Sequence, residues 1–255
     1  MLKFILLGQG RSGSTLIVRS LQRHPNVLMG SEHFHAEQEE RHRYYHELNG
    51  GYPPDRPRQR YYLDGEDGYD YLRDHVFHRR EEEYLRAVGF KMFYQHAREN
   101  PQIKNAWDYL IEHKDVRVVH LSRRNLFESF VSLKVAFITR EWNRQRDARP
   151  KAEPPPPFAI DPRECEDYCT RATAYRRWAD EQFAAHTLLE VEYERDVCGR
   201  FASMMDDIYA FLGLPGRPAE PLLVKLARRH PREQVTNYDE LKEYFRHTLY
   251  QEMFD

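Results

Sequence analysis

The chain is poor in cysteine, and this excludes two kinds of chemistry. Its 255 residues include only Cys165, Cys169 and Cys198. Three cysteines cannot form a disulfide framework, and without a Cys-x-x-Cys pair they match no thiol-based metal or redox motif. We therefore interpret them as structural thiols in a reducing, cytoplasmic setting.

The chain also has almost no net charge and no long hydrophobic run. Its 39 Lys and Arg residues against 41 Asp and Glu residues leave a formal net charge of −2. This balance argues against general nucleic-acid binding or a polybasic membrane surface, so anion-binding residues must be concentrated locally. The first apolar run, residues 2–7, is too short to span a bilayer, and we expect neither a signal peptide nor an integral membrane segment.

A glycine-rich turn follows that apolar run. Residues 8–15 have the sequence GQGRSGST. Such a turn between a strand and a helix binds anions, because its backbone amides and the positive end of the helix dipole face the ligand. It fits the dinucleotide pattern G-x-G-x-x-G, and it fits the nucleoside-triphosphate pattern G-x-x-x-x-G-K-[ST] except at Ser14, which replaces the lysine. Without that lysine, we expect nucleotide phosphate binding but not ATP hydrolysis.

Strand and helix patterns alternate along the chain. The predicted strands cover residues 2–7, 27–29, 88–94, 116–122 and 187–192, and helices cover 14–23, 125–138 and 201–212. Alternation predicts an α/β, P-loop-like, three-layer fold with a central parallel sheet of about five strands flanked by helices. In such sheets ligands bind at the carboxyl ends of the strands.

We predict a single domain over residues 1–255 with two insertions, at residues 52–70 and 143–162. The second insertion contains four consecutive prolines, residues 154–157. Each insertion is either a solvated loop or stiff spacer, or a lid or wall of an acceptor site. The second alternative is considered because long loops in compact domains are often functional.

Two clusters of anion-binding side chains follow predicted strands. The glycine-rich turn contributes Arg11, Ser12, Ser14 and Thr15. One guanidinium with three hydroxyls suits a phosphate or sulfuryl group, although the hydroxyls of a polar turn also cap helices. Arg123 and Arg124 follow the fourth strand, and Ser132 lies eight residues after Arg124. Alone, an arginine pair at a strand end is often only a surface ion pair.

Together the two clusters resemble the sulfotransferases that use 3′-phosphoadenosine 5′-phosphosulfate (PAPS). In that family an R-S-G-[ST]-[ST] loop wraps the 5′-phosphosulfate, and a later R-x₇-S element holds the 3′-phosphate. The resemblance assigns donor binding to Arg11, Ser12, Gly13, Ser14, Thr15, Arg124 and Ser132. Arg123 matches the first arginine of a double-arginine version of the later element, and the spacing favours Arg124 as the phosphate contact.

The chain is most similar to bacterial carbohydrate-type (Nod-factor and trehalose) members of that family. Residues 30–34, GSEHF, resemble the segment that supplies a glutamate as general base, and Glu32 occupies its position. Arg11 and Lys91 are the other candidate catalytic residues, although a lysine at a strand edge often only snorkels. The resemblance implies sulfuryl transfer to a hydroxyl of a saccharide or glycolipid, with no metal required. It leaves a homodimer open.

Other interpretations remain open from the residues alone. Glu32 lies about where the ribose-binding acid of an NAD(P)-dependent oxidoreductase is expected, but that function leaves Arg124 and Ser132 unused. A kinase is disfavoured by Ser14, and a non-catalytic nucleotide-binding module is a further alternative. Thirteen histidines suggest a metal enzyme, yet no H-E-x-x-H motif is present, and a solvated surface explains pairs such as His42 and His46 better. Tyrosines 44, 45, 61 and 62 suit either acceptor stacking or ordinary packing.

Overall fold

Five parallel strands form the centre of the protein. The computed structural model describes residues 1–35, 67–78, 84–98, 103–150, 153–226 and 229–254. The strands are β1 (Leu2–Gly8), β2 (Val27–Met29), β3 (Ala87–Phe93), β4 (Val116–Ser122) and β5 (Leu188–Glu192), in the order β2-β3-β1-β4-β5. Every pairing is parallel, as predicted, and β1 occupies the centre of the sheet. The glycine-rich turn therefore leaves the sheet from its middle strand.

The helices follow the strands as βα units. They are α1 (Ser14–Gln22), α2 (Gly68–Tyr71), α3 (Ala106–Glu112), α4 (Leu126–Thr139), α5 (Pro162–Gln182), α6 (Phe201–Phe211), α7 (Pro231–Gln234) and α8 (Tyr238–Tyr244). A π-helical turn, Leu72–Val76, continues α2, a second one, Tyr193–Val197, follows β5, and Gln251–Phe254 forms a 3₁₀ turn. The sequence did not predict the extent of α5, because this helix is strongly polar and buries only four residues.

The sheet is covered by helices on both faces. Side chains of one face, such as Ile5, Phe90 and Val118, pack against α3 and the last turns of α5. Side chains of the other face, such as Leu6 and Leu121, pack against α1 and α6. Successive strand residues point to opposite faces, so both alternating sets are apolar and buried. The α/β fold with three layers is thus confirmed, and its strand carboxyl ends form one edge that can hold a ligand.

The predicted insertions differ in what can be described. Of residues 52–70, only residues 67–70 lie within the described ranges, where Asp67 caps α2 by accepting a hydrogen bond from the Asp70 amide. In the second insertion, backbone oxygens of Pro155 and Pro156 accept hydrogen bonds from Gln234, and that of Pro155 also accepts one from Arg229. The proline run is therefore fastened to the C-terminal segment.

The three cysteines are free thiols, and Cys165 and Cys169 are buried on α5. Among the ranges that the structure describes, we find no helix with the length and apolar character needed to cross a membrane.

Candidate active site at the carboxyl ends of the strands

The turn between β1 and α1 has an unusual backbone. Gly13 precedes α1 with a φ of 82°, and Arg11 also has a positive φ, 63°. A Cβ atom at Gly13 would lie 3.1 Å from ring atoms of Tyr193. The Ser12 hydroxyl donates to the backbone oxygen of Gln9 at 2.7 Å, which stabilises the turn from within. A non-glycine residue in the left-handed region costs roughly 1–2 kcal/mol, so the shape of this turn is maintained against strain at Arg11.

The Arg11 side chain joins the turn to α4. Its Nε and Nη2 atoms each lie 3.1 Å from the Ser132 hydroxyl, and its Nη1 donates to the backbone oxygen of Trp142 at 2.6 Å. Burial, followed by the nearby positive charge of Arg123, lowers the pKa of Arg11. The two clusters that the sequence separated by more than a hundred residues therefore meet at one place.

The two neighbouring arginines after β4 have different environments. The buried Arg123 guanidinium donates to the backbone oxygen of Arg11 at 2.7 Å and to Glu128 at 3.0 Å, and it lies 4.4 Å from the Tyr193 ring centroid. The Arg124 side chain is exposed at the same edge. Arg123 is thus engaged in holding the glycine-rich turn, whereas Arg124 is presented to solvent.

Glu194 holds the backbone that follows Arg123. Its two carboxylate oxygens accept hydrogen bonds from the amides of Arg124 and Asn125 at 2.9 and 3.1 Å. The Asn125 side chain in turn accepts from the Glu128 amide and caps α4. Sequence analysis gave Glu194 no role of its own, because its partners lie 70 residues away.

Glu32 and Lys91 form an ion pair on the other side of the glycine-rich turn. The segment carrying Glu32 is attached to β3, because the amide of Lys91 donates to the backbone oxygen of Ser31. The Lys91 ammonium lies 2.6 Å from Glu32 Oε1 and donates to the Thr15 hydroxyl at 3.3 Å. The two side chains are 2% and 14% exposed, so a buried, charged connection runs from the predicted base to the first turn of α1.

Burial and ion pairing act in opposite directions on these two groups. Burial raises the pKa of Glu32, but Lys91 and then His96 outweigh it, and the pKa lies below its ordinary value. Burial lowers the pKa of Lys91, with Glu32 opposing this shift. Glu32 is therefore a carboxylate at neutral pH and is able to accept a proton.

His96 is a part of this site that the sequence did not indicate. It lies in the turn after β3, with Nε2 3.6 Å from Glu32 Oε2, the oxygen not bound by Lys91. His35 Nε2 lies 4.0 Å from the same oxygen. No motif singles out His96, since its position depends on how the turn folds back over the strand.

A separate cluster of one histidine and two carboxylates lies where β4, β5 and α5 meet. Ligand atoms of His120, Asp180 and Glu190 lie within 4.8 Å of one another, the one such group among the described residues. These atoms already have partners: His120 Nδ1 lies 2.9 Å from Glu190, its Nε2 lies 2.6 Å from the Tyr94 hydroxyl, and Asp180 faces Arg176. No predicted site residue belongs to this cluster. His42 and His46, which suggested a metal enzyme, lie outside the described residues.

Comparisons with known proteins identify the family of the chain. A model described as the sulfotransferase family matches residues 4–218. Nodulation protein H of Rhizobium meliloti (strain 1021) is 26% identical over 264 residues, which cover 99% of this chain and 94% of that protein. Nodulation protein H of Rhizobium tropici is 24% identical over 254 residues, covering 99% and 92%. A solved sulfotransferase from Alicyclobacillus acidocaldarius aligns with a TM-score of 0.45 and 14% identity, covering 96% of this chain and 91% of that one. Because the family match extends from β1 to beyond α6, the chain belongs to the sulfotransferase family.

Proposed function

We propose that the protein transfers a sulfuryl group from PAPS to a hydroxyl of a saccharide or glycolipid. The observation that carries the proposal is the contact of Arg11 with Ser132 at 3.1 Å. It supports the proposal because the element expected to bind the 5′-phosphosulfate lies beside the element expected to bind the 3′-phosphate. A single adenosine carrying both groups is then the simplest ligand for the combined site.

In this proposal the glycine-rich turn binds the 5′ end of the donor. Gly13 precedes α1, and Ser14 and Thr15 begin it, at the end where backbone amides and the helix dipole favour an anion. Arg11 adds a guanidinium whose charge stabilises the phosphate as the sulfuryl group leaves. Ser12 contributes by holding the turn, since its hydroxyl is bonded to Gln9.

In the same proposal Arg124 and Ser132 bind the 3′-phosphate. Arg124 is exposed at the strand edge, and Ser132 is already within hydrogen-bond distance of Arg11. Arg123 was also a candidate contact, but its guanidinium is occupied by the Arg11 carbonyl and by Glu128. We therefore assign Arg123 to the support of the turn and Arg124 to the phosphate.

The chemistry needs a base, a stabilised leaving group and correct alignment. The acceptor oxygen forms a bond to sulfur, the bond between sulfur and the bridging oxygen breaks, and the acceptor proton passes to Glu32. The electron pair of the broken bond stays on the 5′-phosphate. The positive charges of Arg11 and Lys91 stabilise this added negative charge. Sulfuryl oxygens carry less charge than a γ-phosphate, so this transfer requires no metal clamp.

The acceptor class rests on the resemblance to carbohydrate-type members of the family. We extend the proposal to a single catalytic domain over residues 1–255 that acts in the cytoplasm. The extent of the domain is supported by the family match over residues 4–218 and by the near-complete coverage of the relatives. The cytoplasmic setting is supported by the three free thiols.

The test combines binding with transfer. Calorimetry should show tighter binding of adenosine 3′,5′-bisphosphate than of NAD⁺, ATP or AMP, and radiolabelled PAPS should sulfate a member of a panel of saccharide and glycolipid hydroxyls. Glu32→Gln should abolish transfer while bisphosphate binding persists. Glu220→Gln, at an exposed glutamate, is the matched control and should match the wild type. Preference for NAD⁺ refutes the donor, and full activity of Glu32→Gln refutes the base.

A further inference from the structure

We infer that His96 is a positioning residue for Glu32: its Nε2–H group faces Glu32 Oε2 and fixes the oxygen that receives the acceptor proton. The inference rests on the proposed function, because it takes Glu32 to be the general base. It adds to that function a second group that controls the base, supplied by the turn after β3.

The backbone determines which nitrogen of His96 carries the proton. The amide of Phe93 donates a hydrogen bond to His96 Nδ1 at 3.2 Å. A backbone amide can only donate, so Nδ1 must supply the lone pair, and the proton of the neutral ring is on Nε2. Burial lowers the pKa of His96 to about 3, which keeps the ring neutral in the same range of pH in which Glu32 is a carboxylate.

The two oxygens of Glu32 have separate partners. Lys91 occupies Oε1 at 2.6 Å, and Oε2 faces His96 Nε2 at 3.6 Å and His35 Nε2 at 4.0 Å. At 3.6 Å the N–H is slightly beyond hydrogen-bond distance, close enough to bond Oε2 after a small rotation of the carboxylate. Oε2 is then the oxygen that Lys91 does not bind, and its direction is controlled by a fixed dipole.

The titratable groups around the carboxylate come from three places. Lys91 projects from β3, His96 from the turn after it, and His35 from the segment of Glu32 itself. The positive charges of Arg19 and Arg11 lower the pKa of Lys91. Of these groups, Lys91 and His96 have the largest favourable effects on the carboxylate, so loss of the His96 donor should raise the pKa of Glu32.

The imidazole ring is held firmly enough to act as a positioning group. The His96 amide donates to the backbone oxygen of Phe93 at 2.9 Å, and the His96 carbonyl accepts from the Trp107 indole at 2.8 Å. The ring packs 5.0 Å from that of Phe93. Both the main chain and the ring of His96 are therefore fixed, as preorganised catalytic geometry requires.

Two substitutions separate this role from a structural one. In His96→Gln, the side-chain amide nitrogen takes the place of Nε2 and preserves the donor toward Glu32. In His96→Asn, the side-chain oxygen takes the place of Nδ1 and preserves the bond to the Phe93 amide, but no donor reaches Glu32. We expect His96→Asn to lower kcat by about 10- to 100-fold, part of the usual contribution of a general base. The acidic limb of its kcat/KM profile should move to higher pH, and its KM for PAPS should be unchanged.

We expect His96→Gln to stay within a few-fold of the wild type and to keep its pH profile. His247→Asn, at an exposed histidine, is the matched control. A more active His96→Asn than His96→Gln, or losses in both without a shift of the acidic limb, would overturn the inference and indicate a structural turn. NMR of isotope-labelled histidine in the wild-type protein is a second measurement that needs no variant: a proton on Nε2 supports the inference, and a proton on Nδ1 at neutral pH overturns it.

Glu32→Gln, assayed in parallel, separates the two levels of the proposal. If Glu32→Gln remains active, the proposed base is wrong and the His96 inference fails with it. If Glu32→Gln is inactive while His96→Asn keeps the wild-type rate and pH profile, only the His96 inference fails.

Discussion

Replacing Lys91 with methionine tests the buried ion pair at the centre of the site. Methionine retains most of the apolar stem but removes the ammonium, which lies 2.6 Å from Glu32 with the two side chains 2% and 14% exposed. The carboxylate is then left nearly buried without its counter-charge. Breaking a buried pair from one side costs about 3–5 kcal/mol, so Lys91→Met should lower the free energy of unfolding by that amount.

The double variant makes the argument quantitative. Neutralising both members of a buried pair is often far less costly than removing one. Lys91→Met with Glu32→Gln should therefore recover roughly 2 kcal/mol or more relative to Lys91→Met alone. Urea unfolding at neutral pH measures all four proteins of the cycle. A cost below about 1 kcal/mol for Lys91→Met, or simple additivity in the double variant, would refute the reasoning.

The stability of the wild type and the stability of Lys91→Met should depend on pH in opposite directions. In the wild type the pKa of Glu32 is below its ordinary 4.5, so its stabilising contribution is present above that value and is lost as the pH falls through the lower folded-state pKa. In Lys91→Met, burial is no longer outweighed by the ammonium, and the pKa of Glu32 should rise. The deficit of Lys91→Met should therefore shrink as the pH is lowered from neutrality. A deficit that grows would contradict this.

Three further predictions concern single residues. Gly13→Ala should destabilise the protein by about 1–2 kcal/mol or more, because φ is 82° and the new Cβ would lie 3.1 Å from Tyr193; an unchanged melting temperature would show that the turn adapts. In calorimetry, Arg124→Ala should weaken adenosine 3′,5′-bisphosphate binding by roughly 10- to 100-fold, because one charged hydrogen bond is lost. Binding of 5′-AMP should be unchanged, and equal losses for both ligands would exclude a 3′-phosphate contact. In urea unfolding, the stability of His96→Gln should fall less in acid than that of the wild type. The pKa of His96 is about 3 in the folded protein against an ordinary 6.5, so between these values only the unfolded wild type binds a proton at this residue, and it is favoured as the pH falls. Parallel curves of stability against pH would contradict this.

Local sequence patterns predicted the frame of the protein. The apolar run of β1, the glycine-rich turn and the start of α1 are adjacent in sequence, so their periodicity and turn chemistry predict the strand–turn–helix geometry directly. The strands at residues 27–29 and 116–122 have the predicted bounds, because short apolar runs between turns have little alternative in a parallel sheet. The polar α5 gave too weak a hydrophobic pattern for its full extent to be predicted.

The contacts that define the candidate site depended on tertiary structure. Sequence spacing favoured Arg124 over Arg123 as the phosphate contact, but it could not show that Arg123 is bound to the Arg11 carbonyl. Nor could it show that His96 faces Glu32, 64 residues earlier in the chain, because the partner of a buried side chain is set by strand order and by how a turn folds. Residue types and local periodicity thus determined most of the elements, and the resemblance to sulfotransferases supplied the roles of Glu32, Arg124 and Ser132. The parallel order β2-β3-β1-β4-β5 decided which charges meet at the strand ends.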